Sequence, residues 1–251
     1  MLYPPRCPFC GEIITENRGI KNTAAAQSNK MRYRRGTQKD RHCICTECNQ
    51  TLPYIGEQRC MKCGKPVPME EQEYCTDCAK HKLAFEQGRS LWIHTGSVMQ
   101  AVYRFKFHNK RYYAHIFAQE MAEYYGDWVQ MNRIETIIPV PLHFSKRRSR
   151  GFNQAELLAN EFGKLTGLSV ETNAVVRIKK TSPQKKLSHE ERQTNLKGAF
   201  GVRTDWKPAR TVLLVDDIYT TGNTIHRIAK VLKKAGVQKV FFLTISIGQG
   251  L

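Results

Sequence analysis

The chain has 251 residues, 41% of them apolar, and sets 40 basic side chains against 22 acidic ones for a formal net charge of +18 and a pI near 9.6. That supplies enough apolar matter for a packed core, in one large domain or a small one followed by a medium one. No stretch is long and apolar enough to span a bilayer, and the opening MLYPPRCPFC has no apolar core of signal-peptide length, so the sequence predicts a protein of the cytosol.

The front of the chain is defined by cysteine. All nine cysteines fall in the first 78 residues. In a cytosolic chain that usage points to metal ligation rather than disulfides. Eight of them form Cys-x-x-Cys pairs: Cys7/Cys10, Cys45/Cys48, Cys60/Cys63 and Cys75/Cys78. Two intervening residues allow a tight turn to aim both thiolates at one ion, and two such pairs complete a closed tetrahedral Zn²⁺ site without an open catalytic position. Gly11 and Gly64 follow two of the pairs, where the turn needs a residue free of a Cβ. The third pair with the fourth makes a compact ribbon. The first pair reaches the second across a longer excursion, and a crossed pairing of first with third is also compatible with the spacing. Cys43 is left over as a spare thiol or a substitute for Cys45. Zinc here is structural and supplies folding energy to an apolar-poor region. The excursion at 19–42 carries seven basic residues against one acidic residue with no apolar period, which predicts a mobile basic loop. The composition shift after Cys78 places a boundary within 79–89, giving a zinc-binding module at 1–85 and a second domain at 90–251.

Behind that boundary helices and strands alternate. Val98, Val102 and Phe105 recur at helical spacing, as do Phe117, Met121 and Tyr124. A short apolar strand is expected at 136–140, and a helix with Ala155, Leu158, Ala159, Phe162 and Leu165 on one face closes at Gly167. Further strands are expected at 174–178, 211–215 and 240–245. Ile225, Ile228, Ala229 and Leu232 mark a helix closed by Gly236. Strands apolar on both faces, alternating with helices, predict an α/β fold with a parallel sheet flanked by helices. Between the first two helices, residues 103–113 interleave rings and cations in the way that holds single-stranded nucleic acid; Tyr103 and Phe105 are read as core.

The segment VLLVDDIYTTGNT at 212–224 carries the chemistry. Its apolar strand delivers Asp216 and Asp217 to a carboxyl edge, where open α/β sheets bind ligands. Thr220, Thr221, Gly222, Asn223 and Thr224 then open a helix whose N-terminal amides suit a phosphate. The two carboxylates suit ribose hydroxyls or a metal-bound water.

This segment resembles the phosphoribosyl-pyrophosphate (PRPP) signature of type I phosphoribosyltransferases. Together with PVPLHFSKRRSRGFNQAELLA at 139–159 and the cysteine array, it resembles the ComF family of late competence and GntX-like proteins over nearly the full length. The basic insert departs from that pattern. The resemblance implies a type I phosphoribosyltransferase-like sheet behind a small four-cysteine zinc-ribbon-like module. It gives Asp216 and Asp217 the ribose hydroxyls and residues 220–224 the 5-phosphate. Arg147, Arg148 and Arg150 fall near the diphosphate, in a loop after Val140 that Gly151, Phe152, Asn153 and Gln154 shape, and residues 179–196 form a hood. Mg²⁺ accompanies PRPP, since a diphosphate needs cations to be held.

The functional expectation is a competence factor that handles incoming single-stranded DNA. It would be cytoplasmic, or peripheral at the inner membrane face, with a competence helicase and other uptake proteins as partners. The alternative is an active phosphoribosyltransferase acting on a base or amine. Pairing of type I relatives through their sheets implies a homo-oligomer by analogy.

Overall fold

The structure, a computed structural model, describes residues 6–14, 43–178 and 198–248. The basic insert and the hood lie outside the described residues. Two short helices, α1 (Thr46–Thr51) and α2 (Thr76–Lys80), follow cysteine pairs. Strand β1 (Gln87–Ile93) leads into helices α3 (Gly96–Phe107) and α4 (Tyr113–Met131). Then come β2 (Thr136–Pro139), α5 (Phe144–Arg150), α6 (Gln154–Thr166) and β3 (Ser169–Val170). An antiparallel pair, β4 (Val175–Arg177) and β5 (Phe200–Val202), precedes β6 (Thr211–Tyr219), α7 (Asn223–Lys234) and β7 (Lys239–Ile247).

Five strands form one sheet in the order β1-β7-β6-β2-β3. Every pairing within it is parallel. The parallel α/β sheet is therefore as predicted. The strand expected at 174–178 is present, but it pairs antiparallel with β5 in a separate two-stranded sheet. Helices cover both faces because β6 is apolar on both. Leu213 and Val215 face a core with Phe105, Phe117 and Leu158, while Val212 and Leu214 face one with Ile225, Ile228 and Leu232.

Sequence reading placed no strand at 87–93, where Gln, Gly, Arg and Ser hide the β pattern. Their polar groups find partners within the protein. Ser90 Oγ and Thr244 Oγ1 share a 2.6 Å hydrogen bond, and the Arg89 guanidinium lies 5.6 Å from the Trp128 ring centroid. The outer edge of β1 is not bare. Ile55 N donates to Leu91 O and Ile93 N to Pro53 O, so the cysteine-rich region lays a short antiparallel segment along it. No helix among the described residues is long and apolar enough to cross a membrane.

Candidate functional site

The eight paired cysteines gather into two clusters, Cys7/Cys10/Cys45/Cys48 and Cys60/Cys63/Cys75/Cys78. Within each, the ligand atoms lie within 4.8 Å of one another. First therefore joins second and third joins fourth, which settles the pairing the spacing left open. Cys45, not Cys43, stands in the cluster. Each cluster has the same build. One pair sits on a tight turn closed by a glycine amide, Gly11 N to Cys7 O and Gly64 N to Cys60 O, both 2.9 Å. Both glycines have left-handed φ, and a Cβ on Gly64 would come 2.8 Å from Gly88 O, so Gly64 is required twice over. The other pair opens a helix, with Cys45 and Cys75 at the N-cap positions of α1 and α2. Helix N-termini favour thiolates. Four converging thiols fit a structural Zn²⁺.

The clusters are not appended to the fold. Cys7 and Phe9 belong to the core on one sheet face, with Phe9 at 5.3 Å from Trp92. Cys60, Cys63 and Cys75 belong to the core on the other face, with Phe85, Tyr219 and Phe242. Lys65, buried and 2.8 Å from Asp77, offsets part of the thiolate charge of the second cluster.

The phosphate-type cradle lies where the sheet divides. β2 pairs with β6 only as far as Pro139 opposite Val215, while β6 runs on beside β7 to Tyr219. The strand is thus longer than the predicted 211–215 and contains the acidic pair. From β2 the chain moves outward to β3, and from β6 it moves the opposite way to β7. The notch between β2 and β6 is therefore the switch point of the sheet, where ligands of such folds bind.

Successive strand residues point to opposite faces. Asp217 turns toward α3, where Lys106 Nζ lies 2.8 Å from its Oδ1. Asp216, on the opposite side of the strand, still feels the charge of Lys106 and, less strongly, that of Arg177 from β4. Its Oδ1 accepts a hydrogen bond from Asp217 N at 2.8 Å. Burial, reinforced by the charge of Asp217, pushes the Asp216 carboxyl up to about 8.

At the top of β6 the turn needs glycine. Gly222 has φ +74, and a Cβ there would lie 2.3 Å from Tyr219 Oη. No side chain caps α7, and no acidic residue sits in its first turn. Its leading amides are therefore open to an anion. Thr221 Oγ1 and Asn223 Nδ2 are buried without a hydrogen-bond partner. Such orphaned polar atoms are costly unless a ligand or water meets them. Thr220 is exposed and Thr224 half-buried beside them.

The segment after Val140 is not an open loop. Residues 144–150 form α5. His143 accepts from Ser145 N at its start, Gly151 closes it at φ +78, and the cationic last turn complements the helix dipole. This escaped sequence reading because the helix buries no residue and so has no apolar period. Asn153 does start the next helix: it accepts from Ala155 N and donates to Val140 O. Of the arginines, Arg147 is drawn to Glu156 at 3.3 Å and Arg148 is exposed on α5. Arg150 donates to Gln154 Oε1 at 3.0 Å, and Gln154 donates to Lys106 O. The Lys146 ammonium is lowered by loss of solvent and then by the charges of Arg177, Arg150 and Lys106, with Asp217 opposing. Lys106, Lys146, Arg150 and Arg177 thus set four cations around two carboxylates, one of them raised. Sequence reading did not connect Lys106 and Arg177 with the acidic pair. Only the tertiary fold brings them there, Lys106 by its ion pair with Asp217 and Arg177 by its charge at Asp216, and no spacing in the sequence signals that.

Tyr103, expected in the core, is 56% exposed, while Phe105 is fully buried as expected. The helix turn places Tyr103 beside Met99 and Phe107 on the outer face of α3. Two histidines have structural partners: His226 Nδ1 accepts from Ala84 N, and His115 Nδ1 pairs with Glu161.

Residues 148–246 match the phosphoribosyl transferase domain family, and residues 35–79 match the double zinc ribbon domain family. The chain is 36% identical over 144 residues to Competence protein F of Haemophilus influenzae, covering 55% of this chain and 63% of that protein. It is 28% identical over 235 residues to Competence protein ComFC of Streptococcus pneumoniae, covering 94% and 96%. It is 34% identical over 106 residues to DNA utilization protein YhgH of Salmonella typhi, covering 42% and 46%. The matches thus span less than two thirds of the first and third of these proteins and nearly all of the second. The ComF resemblance read from the sequence is borne out.

Proposed function

We propose that this chain, a phosphoribosyl transferase domain behind a double zinc ribbon with its full-length likeness among the ComF competence proteins, binds PRPP with Mg²⁺ and handles single-stranded DNA taken up by the cell. One observation carries the ligand. The open N-terminus of α7, with Thr221 Oγ1 and Asn223 Nδ2 unpartnered, stands across the switch-point notch from four cations around Asp216 and Asp217. The α7 amides and residues 220–224 would take the 5-phosphate. Asp216 and Asp217 would take the ribose hydroxyls, with Lys106 released from Asp217 as they do. Lys146, Arg150 and Arg177 would take the diphosphate, with Arg148 free to swing in from α5, and Mg²⁺ would neutralise what they leave. The DNA role is supported by the relatives' names and the net charge of +18. On that reading the protein works in the cytoplasm, close to the uptake machinery at the inner membrane face, where a helicase is the natural partner.

Isothermal titration with PRPP and Mg²⁺ tests the ligand. Wild type should give saturable heat. Asp217→Ala should give none while keeping two zinc ions per chain; unchanged heat in that variant ends the site assignment. Binding of an oligothymidylate should fall steeply as salt rises, and a wild-type protein that ignores the oligonucleotide at low salt ends the DNA role.

A second reading, a working transferase on a base or amine, is favoured by the same cation cluster. It could stabilise a departing diphosphate as charge develops on it. Release of pyrophosphate in a screen of acceptors would establish it, and intact PRPP binding with no release would exclude it.

A further inference from the structure

The outer face of α3 is unusual for a helix that packs against a sheet. Met99, Tyr103 and Phe107 follow one another at four-residue intervals and are 50%, 56% and 54% exposed, and Tyr112 beyond them is 45% exposed. Side chains four apart on a helix lie one above the other. The Tyr103 and Phe107 rings accordingly sit 4.9 Å apart, centroid to centroid. A contiguous stripe of large exposed apolar side chains marks a contact surface.

Cations surround this stripe. The Arg150 guanidinium lies 4.7 Å from the Phe107 ring centroid, and Arg111 lies 4.9 Å from that of Phe152. Lys110 and His108 are exposed at the end of the helix. A partner must therefore present flat apolar surfaces together with regular negative charge. An unpaired nucleic-acid strand does so, with bases to stack on rings and phosphates to follow cations. A duplex does not, since its bases already stack on one another.

The stripe also adjoins the cradle. Lys106, between buried Phe105 and exposed Phe107, reaches Asp217. Gln154 ties the Lys106 carbonyl to Arg150, and Arg150 covers Phe107. Arg150 thus stands between the two surfaces, with its side chain on the stripe and its charge felt at Lys146.

We propose that Tyr103 and Phe107, flanked by Arg111 and Arg150, form the stacking platform for unpaired bases, and that a bound strand passes the mouth of the phosphate cradle at Arg150. This rests on the DNA-handling reading above and assigns it a surface. Fluorescence anisotropy of the full chain with labelled oligothymidylate tests it. Tyr103→Ala and Phe107→Ala should each weaken binding about 5- to 150-fold, the range of one lost base–ring stack. Phe107→Trp should restore it. Neither alanine variant should change the slope of log affinity against log salt, because rings release no counterions. Arg111→Ala should reduce that slope by about 0.7. Both ring residues are exposed, so the variants should keep their zinc, and Tyr103→Ala, whose ring meets only Phe107 and His108, should keep its PRPP heat. Failure of wild type to bind the oligonucleotide would remove the DNA role itself. Wild-type binding with undiminished affinity in both alanine variants would overturn the platform alone and leave the stripe to a protein partner. A parallel loss of duplex affinity in the ring variants would equally overturn it.

Discussion

At the scale of single residues, the acidic pair is two different groups. Asp217 is held by Lys106 on one sheet face, whereas Asp216 lies on the other, crowded enough to be pushed up to about 8. The sign of the consequence follows from linkage. A carboxyl raised above its ordinary value of 3.8 keeps its proton longer in the folded chain than in the unfolded one. Its unfavourable contribution is absent at low pH, grows as pH rises from about 4 to about 8 and is constant above. Asp216→Asn keeps the acceptor for Asp217 N and removes the titration. Calorimetric melting between pH 5 and pH 8 should therefore show the variant gaining on wild type as pH rises, and a constant gap would mean that Asp216 titrates normally. In the sequence the pair is visible as DD after an apolar strand, which suffices to mark the site. The alternation of strand faces was available there as well, but the partners Lys106 and Arg177 were not, because each lies dozens of residues away and is delivered by tertiary packing alone.

At the scale of elements, the second cysteine cluster and the cradle are neighbours. Tyr219 stacks on Phe242 at 4.6 Å and meets Phe85 edge-on at 6.3 Å, and the cluster's thiols share this core. The Tyr219 hydroxyl in turn fills the space in front of Gly222. Ala84 N to His226, and Lys233 to Glu86 at 2.6 Å, bind the segment after the ribbon to α7. Zinc at this cluster should therefore hold the cradle in shape. Cys75→Ser is expected to cost about tenfold in PRPP affinity, within the usual range of site-to-site coupling. Cys10→Ser, in the cluster on the opposite face, should leave that affinity close to wild type. Calorimetry alongside a zinc count distinguishes the two, and equal losses would show that the clusters act only through overall stability. The spacing of four Cys-x-x-Cys pairs made the metal sites legible in the sequence, because the ligand geometry is local. Which pair joins which was not, since closure across residues 19–42 depends on where the fold brings the ends.

For the whole molecule, the parallel sheet was legible because β2, β6 and β7 are apolar on both faces, a pattern only a sheet covered twice requires. Strand β1 was not, since its polar residues are satisfied from elsewhere, by Thr244 and Trp128. That strand is the sheet's border, and the chain meets it with residues 53–55, strung between the two cysteine clusters. Both knots must be tied for that strip to stay in place. A chain short of zinc would bare the amide edge of a strand reading LWI, a template on which another copy can add its own strand. Metal starvation would then be felt as self-association and loss of soluble protein alongside the weaker hold on ligand.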